Sequence, residues 1–379
     1  MKISAYSTTA KDFDTLLLAD KSFVSIHMNC RIDPTRLGLN GISGSVHGAT
    51  SCMGAMAGDG VTESIGVFAI SDPDGAYGSA MLPYGDDAEK AASDATLAAL
   101  QAADRIGEKP ELIWLSGTPG VEEAVIAGIE AVVGPEVPVI GGSAADNSVS
   151  GEWFVFDKSG RSQDGLIVSV LFPSRPVSFA YHNGYAPTAK TGTVTKVEGR
   201  RLVEIDHQPA LEVYDEWTNG AVGSVRGNGE AQSILSESTL FPLGRKVAKL
   251  GGVTSFLLAH PASACSSGAM ELFATVEEGE ELTQMSGTES GLVERAGRVA
   301  SLARSAGHLE QGAISGALMV YCGGCMLSVR HRLDDIVDGV SDALGGAPFL
   351  GTFTFGEQGQ ILGAGNRHGN LMISCIIFG

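Results

Sequence analysis

The sequence predicts an α+β fold in which layered mixed and antiparallel sheets carry helices, and in which two related halves arise from an internal duplication. Two observations support this fold class. Short apolar runs joined by glycine-rich turns alternate with helix-periodic stretches, and one ordered set of elements recurs about 205–210 residues further along the chain. Tight turns between the apolar runs favour antiparallel pairing over a series of β-α-β crossovers.

The first copy includes residues 12–81, where a helix, a strand at 22–27 and a strand at 64–70 are predicted, and its recurring set of elements lies between residues 112 and 172. An apolar strand at 112–117 precedes a helix at 121–133, and a further strand leads into the turn Gly141-Gly142-Ser143-Ala144-Ala145-Asp146-Asn147. Strands at 153–156 and 165–172 complete the set. A helix is predicted before it, at 87–103.

The second copy has the same order near the C-terminus. A strand at 317–321 leads into the turn Cys322-Gly323-Gly324-Cys325, a helix follows at 333–344, and the last strand covers 371–378. The chain of 379 residues is longer than a single core usually grows. We therefore predict two domains, 1–206 and 207–379.

The charge balance excludes several classes of partner. The chain has 25 lysines and arginines against 44 aspartates and glutamates, a net charge of −19 that repels nucleic acid and anionic membranes. The sequence has neither a signal-peptide pattern nor an apolar run of roughly 20 residues, so we expect no membrane insertion and a cytoplasmic location. The six scattered cysteines suit a reducing compartment.

Three motifs together resemble the FIST family, and the resemblance covers nearly the whole chain. They are the turn at 141–147, the segments 194–195 and 203–211, and Gly351-Thr352-Phe353-Thr354-Phe355-Gly356-Glu357. The resemblance implies a sensory module of bacterial signal transduction that binds a small ligand, such as an amino acid, without enzymatic activity. Since no kinase or receptor sequence accompanies these motifs, we expect a separate partner, with a histidine kinase as one candidate.

The ligand site is predicted at the glycine turns. Free backbone N–H groups at Gly141-Gly142-Ser143 suit a carboxylate or phosphate, and the carboxylates nearby suit an ammonium group. The alternative is that the glycines only permit a tight turn. The predicted ligand-binding residues are Thr50, Ser51, Cys52, Gly141, Gly142, Ser143, Asp146, Asn147, Gly351, Thr352 and Glu357.

Haem is the alternative ligand, because one branch of the resembled family senses nitric oxide through haem and regulates a histidine kinase. No cofactor is required by the sequence itself. Among eight histidines, His260 is the candidate axial ligand, since it follows an apolar strand and precedes Pro261. The attachment motif Cys-x-x-Cys-His is missing, so such a haem would be bound non-covalently.

A thiol-dependent hydrolase or acyltransferase is a second alternative. It would use Cys52 or Cys322 as nucleophile and would need a histidine and an acid beside that thiol. The pair Cys322 and Cys325 has the spacing of a redox pair or of half a zinc site, but no second Cys/His pair accompanies it and zinc is rejected. A redox role and a closely packed glycine turn stay open for this pair.

Overall fold

Three six-stranded sheets and one nine-stranded sheet build the fold, as seen in a computed structural model that describes residues 1–223 and 231–379. The predicted α+β class is confirmed, and the sheets mix parallel with antiparallel pairs. None of the described helices is long and apolar enough to cross a membrane.

The first unit of the fold is almost entirely strands. Short 3₁₀ turns such as Phe13–Thr15 and Pro34–Arg36 stand between its first three strands. Its strands are β1 (Lys2–Thr8), β2 (Phe23–Met28), β3 (Ser45–Thr50), β4 (Ala55–Ala57), β5 (Gly60–Thr62) and β6 (Ile65–Ser71).

The second unit contains the first copy predicted from the sequence, and its helices at 87–103 and 121–133 are confirmed to within one residue at each end. Its elements are β7 (Ala76–Pro83), α1 (Ala88–Ala102), β8 (Leu112–Gly117), α2 (Glu122–Val133), β9 (Val139–Ser143), β10 (Val155–Asp157), β11 (Gly160–Ser162) and β12 (Gly165–Phe172).

An insertion follows the first strand of the third unit, β13 (Val177–His182). The insertion carries the nine-stranded sheet and two short helices. Its elements are β14 (Ala186–Glu198), β15 (Arg201–Ile205), β16 (Gln208–Pro209), α3 (Ala210–Trp217), β17 (Gln232–Ser233), α4 (Leu235–Ser238), β18 (Leu243–Leu250), β19 (Val253–Ala259), β20 (Pro261–Ala264), β21 (Met270–Leu272) and β22 (Glu281–Ser286).

The rest of the third unit is the second predicted copy, with one difference. The segment predicted as a turn, Cys322 to Cys325, begins a short helix instead. The elements are α5 (Glu289–Ala306), β23 (Gly316–Cys322), α6 (Gly323–Ser328), α7 (Leu333–Leu344), β24 (Phe349–Thr354), β25 (Glu357–Ile361), β26 (Gly365–Gly369) and β27 (Ile373–Phe378).

The same strand order holds in all three units, so the predicted repeat extends to the N-terminal region. Each unit has a parallel central pair, β2–β3, β8–β9 or β23–β24, between antiparallel neighbours. The hairpin that follows each central pair joins another unit's sheet: β4 pairs with β24, β10 with β3, and β25 with β9. This cyclic exchange ties the units together.

The exchange crosses the predicted domain boundary near Asp206, because β13 pairs with β27 and β4 pairs with β24. The boundary itself stays a prediction.

Helix pairs cover the second and third units, and glycine allows their close approach. A Cβ at Gly128 would lie 2.1 Å from the Glu89 carbonyl oxygen, and one at Gly297 would lie 2.6 Å from the Gly339 carbonyl oxygen.

Candidate functional site

The three predicted glycine or hydroxyl turns meet in the structure, each at the end of the second strand of a unit's central pair. In each turn a backbone N–H donates to a carbonyl of another unit over 2.9 to 3.1 Å: Cys52 to Phe353, Ala145 to Thr50, and Phe355 to Ser143. The turns are therefore neighbours, and they are joined by direct backbone hydrogen bonds.

The glycines at this junction allow close strand packing. A Cβ at Gly141 would lie 1.9 Å from the Leu115 carbonyl oxygen. One at Gly142 would lie 2.4 Å from the Thr354 methyl group, and one at Gly351 would lie 2.4 Å from Met56. Close approach of backbones thus explains these three glycines without a ligand.

The hydroxyl groups at the junction mostly have protein partners. Ser51 Oγ accepts from the Phe353 N–H at 2.8 Å, and Thr50 Oγ1 accepts from the Phe154 N–H at 3.1 Å. Ser143 Oγ donates to Glu122 Oε1 at 2.9 Å. Thr352 Oγ1 is buried and has no hydrogen-bond partner among the residues that the structure describes.

Ser143 belongs to a charged network between α2 and the insertion. Arg200 Nη2 lies 2.7 Å from Glu122 Oε2 and 2.6 Å from Glu123 Oε2. Burial by itself raises the pKa of Glu123, but the charges of His368 and Arg200 and hydrogen bonds from Thr275 and Arg200 lower it to about 2. The network holds the insertion against the second unit.

Asp146 organises its own loop and does not face a ligand. Its carboxylate accepts the backbone N–H groups of residues 148, 149, 150 and 152 over 2.5 to 2.9 Å. Burial by itself raises the pKa of Asp146, and these hydrogen bonds outweigh burial and lower it. They also hold Val149 at φ 55°, a strained conformation for a β-branched residue. Asn147 Oδ1 accepts the Met53 N–H at 2.8 Å.

Glu357 is fully buried, and its surroundings favour the neutral acid. Thr354 Oγ1 donates to Glu357 Oε1 at 2.8 Å, and the Met372 N–H donates to Oε2 at 2.9 Å. Burial nevertheless raises the pKa of Glu357 to about 8. The predicted contact with a ligand ammonium group needs a carboxylate, so the structure gives Glu357 a different electrostatic character from the predicted one.

A cavity of about 590 Å³ lies between the insertion and the third unit, and we call it the insertion cavity. Val149 and Leu327 are exposed by 42% and 46% and mark its rim. The predicted ligand-binding residues do not line it. Its lining is Val149, Ser233, Leu235, Ser236, Thr239, Leu240, His260, Phe273, Glu289, Cys322, Gly324, Leu327, Ser328, Phe355, Gly356 and Asn370.

His260 and Asn370 are two polar side chains of this wall, and both are almost fully buried. The backbone N–H of His260 donates to Asn370 Oδ1 at 3.1 Å, and the ring Nε2 of His260 lies 2.8 Å from Ser238 Oγ. Burial lowers the pKa of His260 to about 4, so the ring is neutral at pH 7. Asn370 Nδ2 has no hydrogen-bond partner within the described ranges 1–223 and 231–379.

The cavity residues are spread over the chain, and the sequence singled out His260, the turn that contains Cys322 and Gly324, and the motif that contains Phe355 and Gly356. Asn370 could not be identified because it follows β26 in a segment that matches no motif or periodic pattern. Phe273 and Leu327 were missed because isolated apolar residues outside periodic stretches carry no positional signal.

The thiol-enzyme alternative finds little support in the geometry. Burial raises the pKa of Cys52 to about 12, which disfavours a nucleophilic thiolate. His27 bonds to Ser25, and His47 bonds to Ser169 and Ser116. Across the described part of the chain, no hydrogen bond joins Cys52 or Cys322 to a histidine.

The comparisons with known proteins identify the family. Residues 41–208 match the FIST N domain and residues 210–360 match the FIST C domain. These are sensory domains of signal transduction proteins. The chain belongs to the FIST family.

Two individual matches are more distant. Over 80 residues the chain is 34% identical to the uncharacterized protein MJ1623 of Methanocaldococcus jannaschii, an alignment that spans 21% of this chain and 16% of that protein. A crystal structure of cyanuric acid hydrolase from A. caulinodans aligns over 100% of this chain and 98% of its own, with 9% identity and a TM-score of 0.38.

Proposed function

We propose that this protein is a sensory module that binds an amino acid or a metabolite of similar size in the insertion cavity and signals to a separate protein. The observation that carries the proposal is the amide of Asn370. Its Nδ2 is buried in the cavity wall without a partner among the described residues. Such a donor costs about 1–3 kcal/mol when unsatisfied, and a ligand acceptor would remove that cost.

The remaining lining suits an amphipathic ligand. The amide of Asn370 matches a carboxylate or carbonyl oxygen, and Glu289 is the one formally charged side chain among the lining residues that the structure describes. A carboxylate at that wall suits an ammonium group. Leucines and phenylalanines make up much of the remaining lining, together with the hydroxyl residues Ser233, Ser236, Thr239 and Ser328, and the volume lies in the range of small-molecule sites.

The position of the cavity supports a signalling role. One wall comes from α4 and the end of β19 in the insertion, and the opposite wall comes from α6 and the end of β24 in the third unit. A ligand that touches both walls favours the arrangement in which they are close. We propose that this shift is read by a separate partner, for which a histidine kinase is one candidate.

Filling the cavity should abolish ligand binding while the fold stays intact. Gly324 faces the cavity, and a Cβ there would have only ordinary contacts, at 3.6 Å or more. We expect that one or more of the twenty amino acids binds the wild type and raises its Tm, and that Gly324→Leu weakens this binding at least tenfold, by about 1.4 kcal/mol. Calorimetric titration and thermal unfolding measure both quantities.

Two variants sharpen the experiment. Gly339→Leu changes another helical glycine with open space around its Cβ, and should leave binding unchanged. Asn370→Asp keeps the acceptor for the His260 N–H but removes the free donor, so affinity for a ligand carboxylate should fall at least tenfold, again about 1.4 kcal/mol. If no amino acid binds, an amino acid is not the ligand; if Gly324→Leu binds as the wild type does, the cavity is not the site.

A haem-based gas sensor is the second candidate, because His260 lies in the wall of a largely apolar cavity. The residues present do not fit His260 as an axial ligand, however. Its Nε2 is engaged with Ser238 Oγ, which itself donates to the Pro261 carbonyl at 2.7 Å. We therefore expect protein purified from haem-supplemented cells to lack a Soret band. A strong band that disappears in His260→Ala would reverse the order of the two candidates.

A further inference from the structure

Cys322 and Cys325 flank the first turn of α6. Cys322 ends β23 and caps the helix, and Cys325 is the third helical residue. In α-helical geometry Cα atoms three residues apart are separated by about 5 Å, and disulfides join Cα atoms separated by about 4.4–6.8 Å. The two thiols are already hydrogen-bonded to each other. The pair is therefore spaced for a disulfide.

The two sulfur atoms differ in access. Cys322 lines the insertion cavity and is 6% exposed, whereas Cys325 is completely buried behind it. Cys325 Sγ lies 3.5 Å and the Thr239 carbonyl oxygen 2.8 Å from the hydroxyl of Tyr185, so the single Tyr185 proton can be donated to only one of them at a time. A molecule in the cavity can therefore reach Cys322, whereas Cys325 is not among the lining residues.

A buried arginine stands beside the pair. Arg295 on α5 is 3% exposed and donates from Nη2 to the Leu371 carbonyl at 2.6 Å. Its Nε and Nη1 have no hydrogen-bond partner among the described residues, and its guanidinium lies 5.4 Å from the centre of the Tyr185 ring. A buried charge needs a counter-charge, and Glu357 nearby is neutral at pH 7 because burial raises its pKa to about 8.

The thiolate of Cys325 supplies that counter-charge. Burial by itself raises the pKa of Cys325, but the hydrogen bond from Cys322, the charge of Arg295 and the Tyr185 hydroxyl lower it to about 7. Burial raises the pKa of Cys322 well above its ordinary range. Tyr321 and Glu357 also face this cluster. Of the two sulfur atoms, Cys325 is therefore the one that loses its proton first as the pH rises, and it does so near pH 7.

Packing of the repeated unit does not require these thiols. At the same place in the second unit, β8 is followed by Thr118, Pro119 and Gly120 before α2 begins. That connection carries neither a cysteine nor a short helix. The thiol pair and α6 occur in the third unit, on the side that faces the insertion cavity.

We propose that Cys322 and Cys325 form a redox-active dithiol that exchanges with small disulfides entering the insertion cavity. This activity goes beyond the proposed ligand sensing and does not depend on which metabolite the cavity binds. It would make the state of the cavity wall depend on the thiol–disulfide balance of the surroundings.

The exchange proceeds in two displacements. The Cys322 sulfur attacks one sulfur of the small disulfide RSSR while its proton passes to the Cys325 thiolate, so the RS–SR bond breaks and RS⁻ leaves. The released RS⁻ takes this proton from Cys325 and departs as RSH, which leaves Cys325 as a thiolate again. The Cys325 thiolate then attacks the Cys322 sulfur, the mixed disulfide breaks, and a second RS⁻ leaves. The protein dithiol loses two electrons and the small disulfide gains them.

Equilibration of the full chain with oxidised and reduced glutathione at graded ratios tests the proposal. After acid quench and alkylation, mass spectrometry of the peptide holding both cysteines gives the fraction oxidised. We expect one Cys322–Cys325 disulfide, a glutathione adduct on Cys322 that accumulates in Cys325→Ser, and at least tenfold slower oxidation in Cys322→Ser. Cys30→Ser, which changes a half-buried cysteine elsewhere, should react as the wild type does.

A pH profile separates the electrostatic role of Arg295 from simple packing. Oxidation of the wild type should reach half its maximal rate near pH 7, and Arg295→Gln should shift that midpoint upward while Arg295→Lys retains it. Circular dichroism verifies that each variant is folded. Absence of the Cys322–Cys325 disulfide at every ratio in folded wild-type protein, or adducts confined to Cys30 and Cys265, would overturn the proposal. Amino-acid binding to Cys322→Ser would still report separately on the sensory function.

Discussion

The protein should lose free energy of unfolding between about pH 7 and pH 4, and replacing His27 by glutamine is expected to reduce this loss by about 3 kcal/mol. His27 is a buried residue of β2 in T-shaped contact with the Trp114 ring, with Nε2 bonded to Ser25 and Nδ1 without a partner among the described residues. Burial lowers its pKa to about 3. Glutamine stays neutral at every pH and can keep a hydrogen bond to Ser25.

The sign follows from proton linkage. In the unfolded chain a histidine has a pKa near 6.5, whereas in the folded protein His27 binds its proton only as the pH falls to about 3. Stability from His27 is therefore complete above pH 6.5 and is lost as the pH falls, by about 1.4 kcal/mol per unit. His47 adds to this loss, since burial and then the charge of His27 lower its pKa as well.

Urea unfolding at a series of pH values measures the effect. The wild type should lose stability on acidification, and His27→Gln should remove about 3 kcal/mol of that loss between pH 7 and pH 4. His331→Gln is the matched control, because the His331 side chain is 66% exposed. An unchanged slope in His27→Gln would mean that the folded protein accepts a proton at this site.

Much of the fold could be predicted from the sequence, because strand and helix periodicity is local. The helices α1, α2 and α7 and the strand β12 lie close to their predicted limits. The first unit escaped notice as a repeat because 3₁₀ turns stand where the other units have helices. Its strands alone could not reveal a third copy.

The candidate site was harder to predict, because it depends on which partners each polar group finds. The glycine turns do come together, but the hydrogen bonds of Asp146 and the burial of Glu357 are tertiary facts. The insertion cavity joins His260, Cys322 and Asn370 from three separate segments. No spacing rule in a single sequence brings such residues together.

Proton linkage predicts the opposite pH dependence for Glu357→Gln: its stability relative to the wild type should rise as the pH rises. A folded carboxyl group with a pKa raised to about 8 stabilises the fold fully below its unfolded pKa, near 4.3, and this contribution disappears as the pH rises to 8. Glutamine removes the ionisation and can keep both partners, accepting from the Met372 N–H and donating to Thr354 Oγ1. Relative to the wild type, the variant should gain about 1.4 kcal/mol per unit between pH 5 and 8.

By pH 9 the accumulated gain should be roughly 3 kcal/mol or more, which thermal or urea unfolding resolves easily. Glu294→Gln, an acidic residue of α5 whose side chain is 55% exposed, should show no such rise. A flat difference between Glu357→Gln and the wild type would show that the buried group is ionised already at pH 5. Arg295 would then have the Glu357 carboxylate as its counter-charge. The charge of Arg295 would no longer be a reason to expect a thiolate at Cys325.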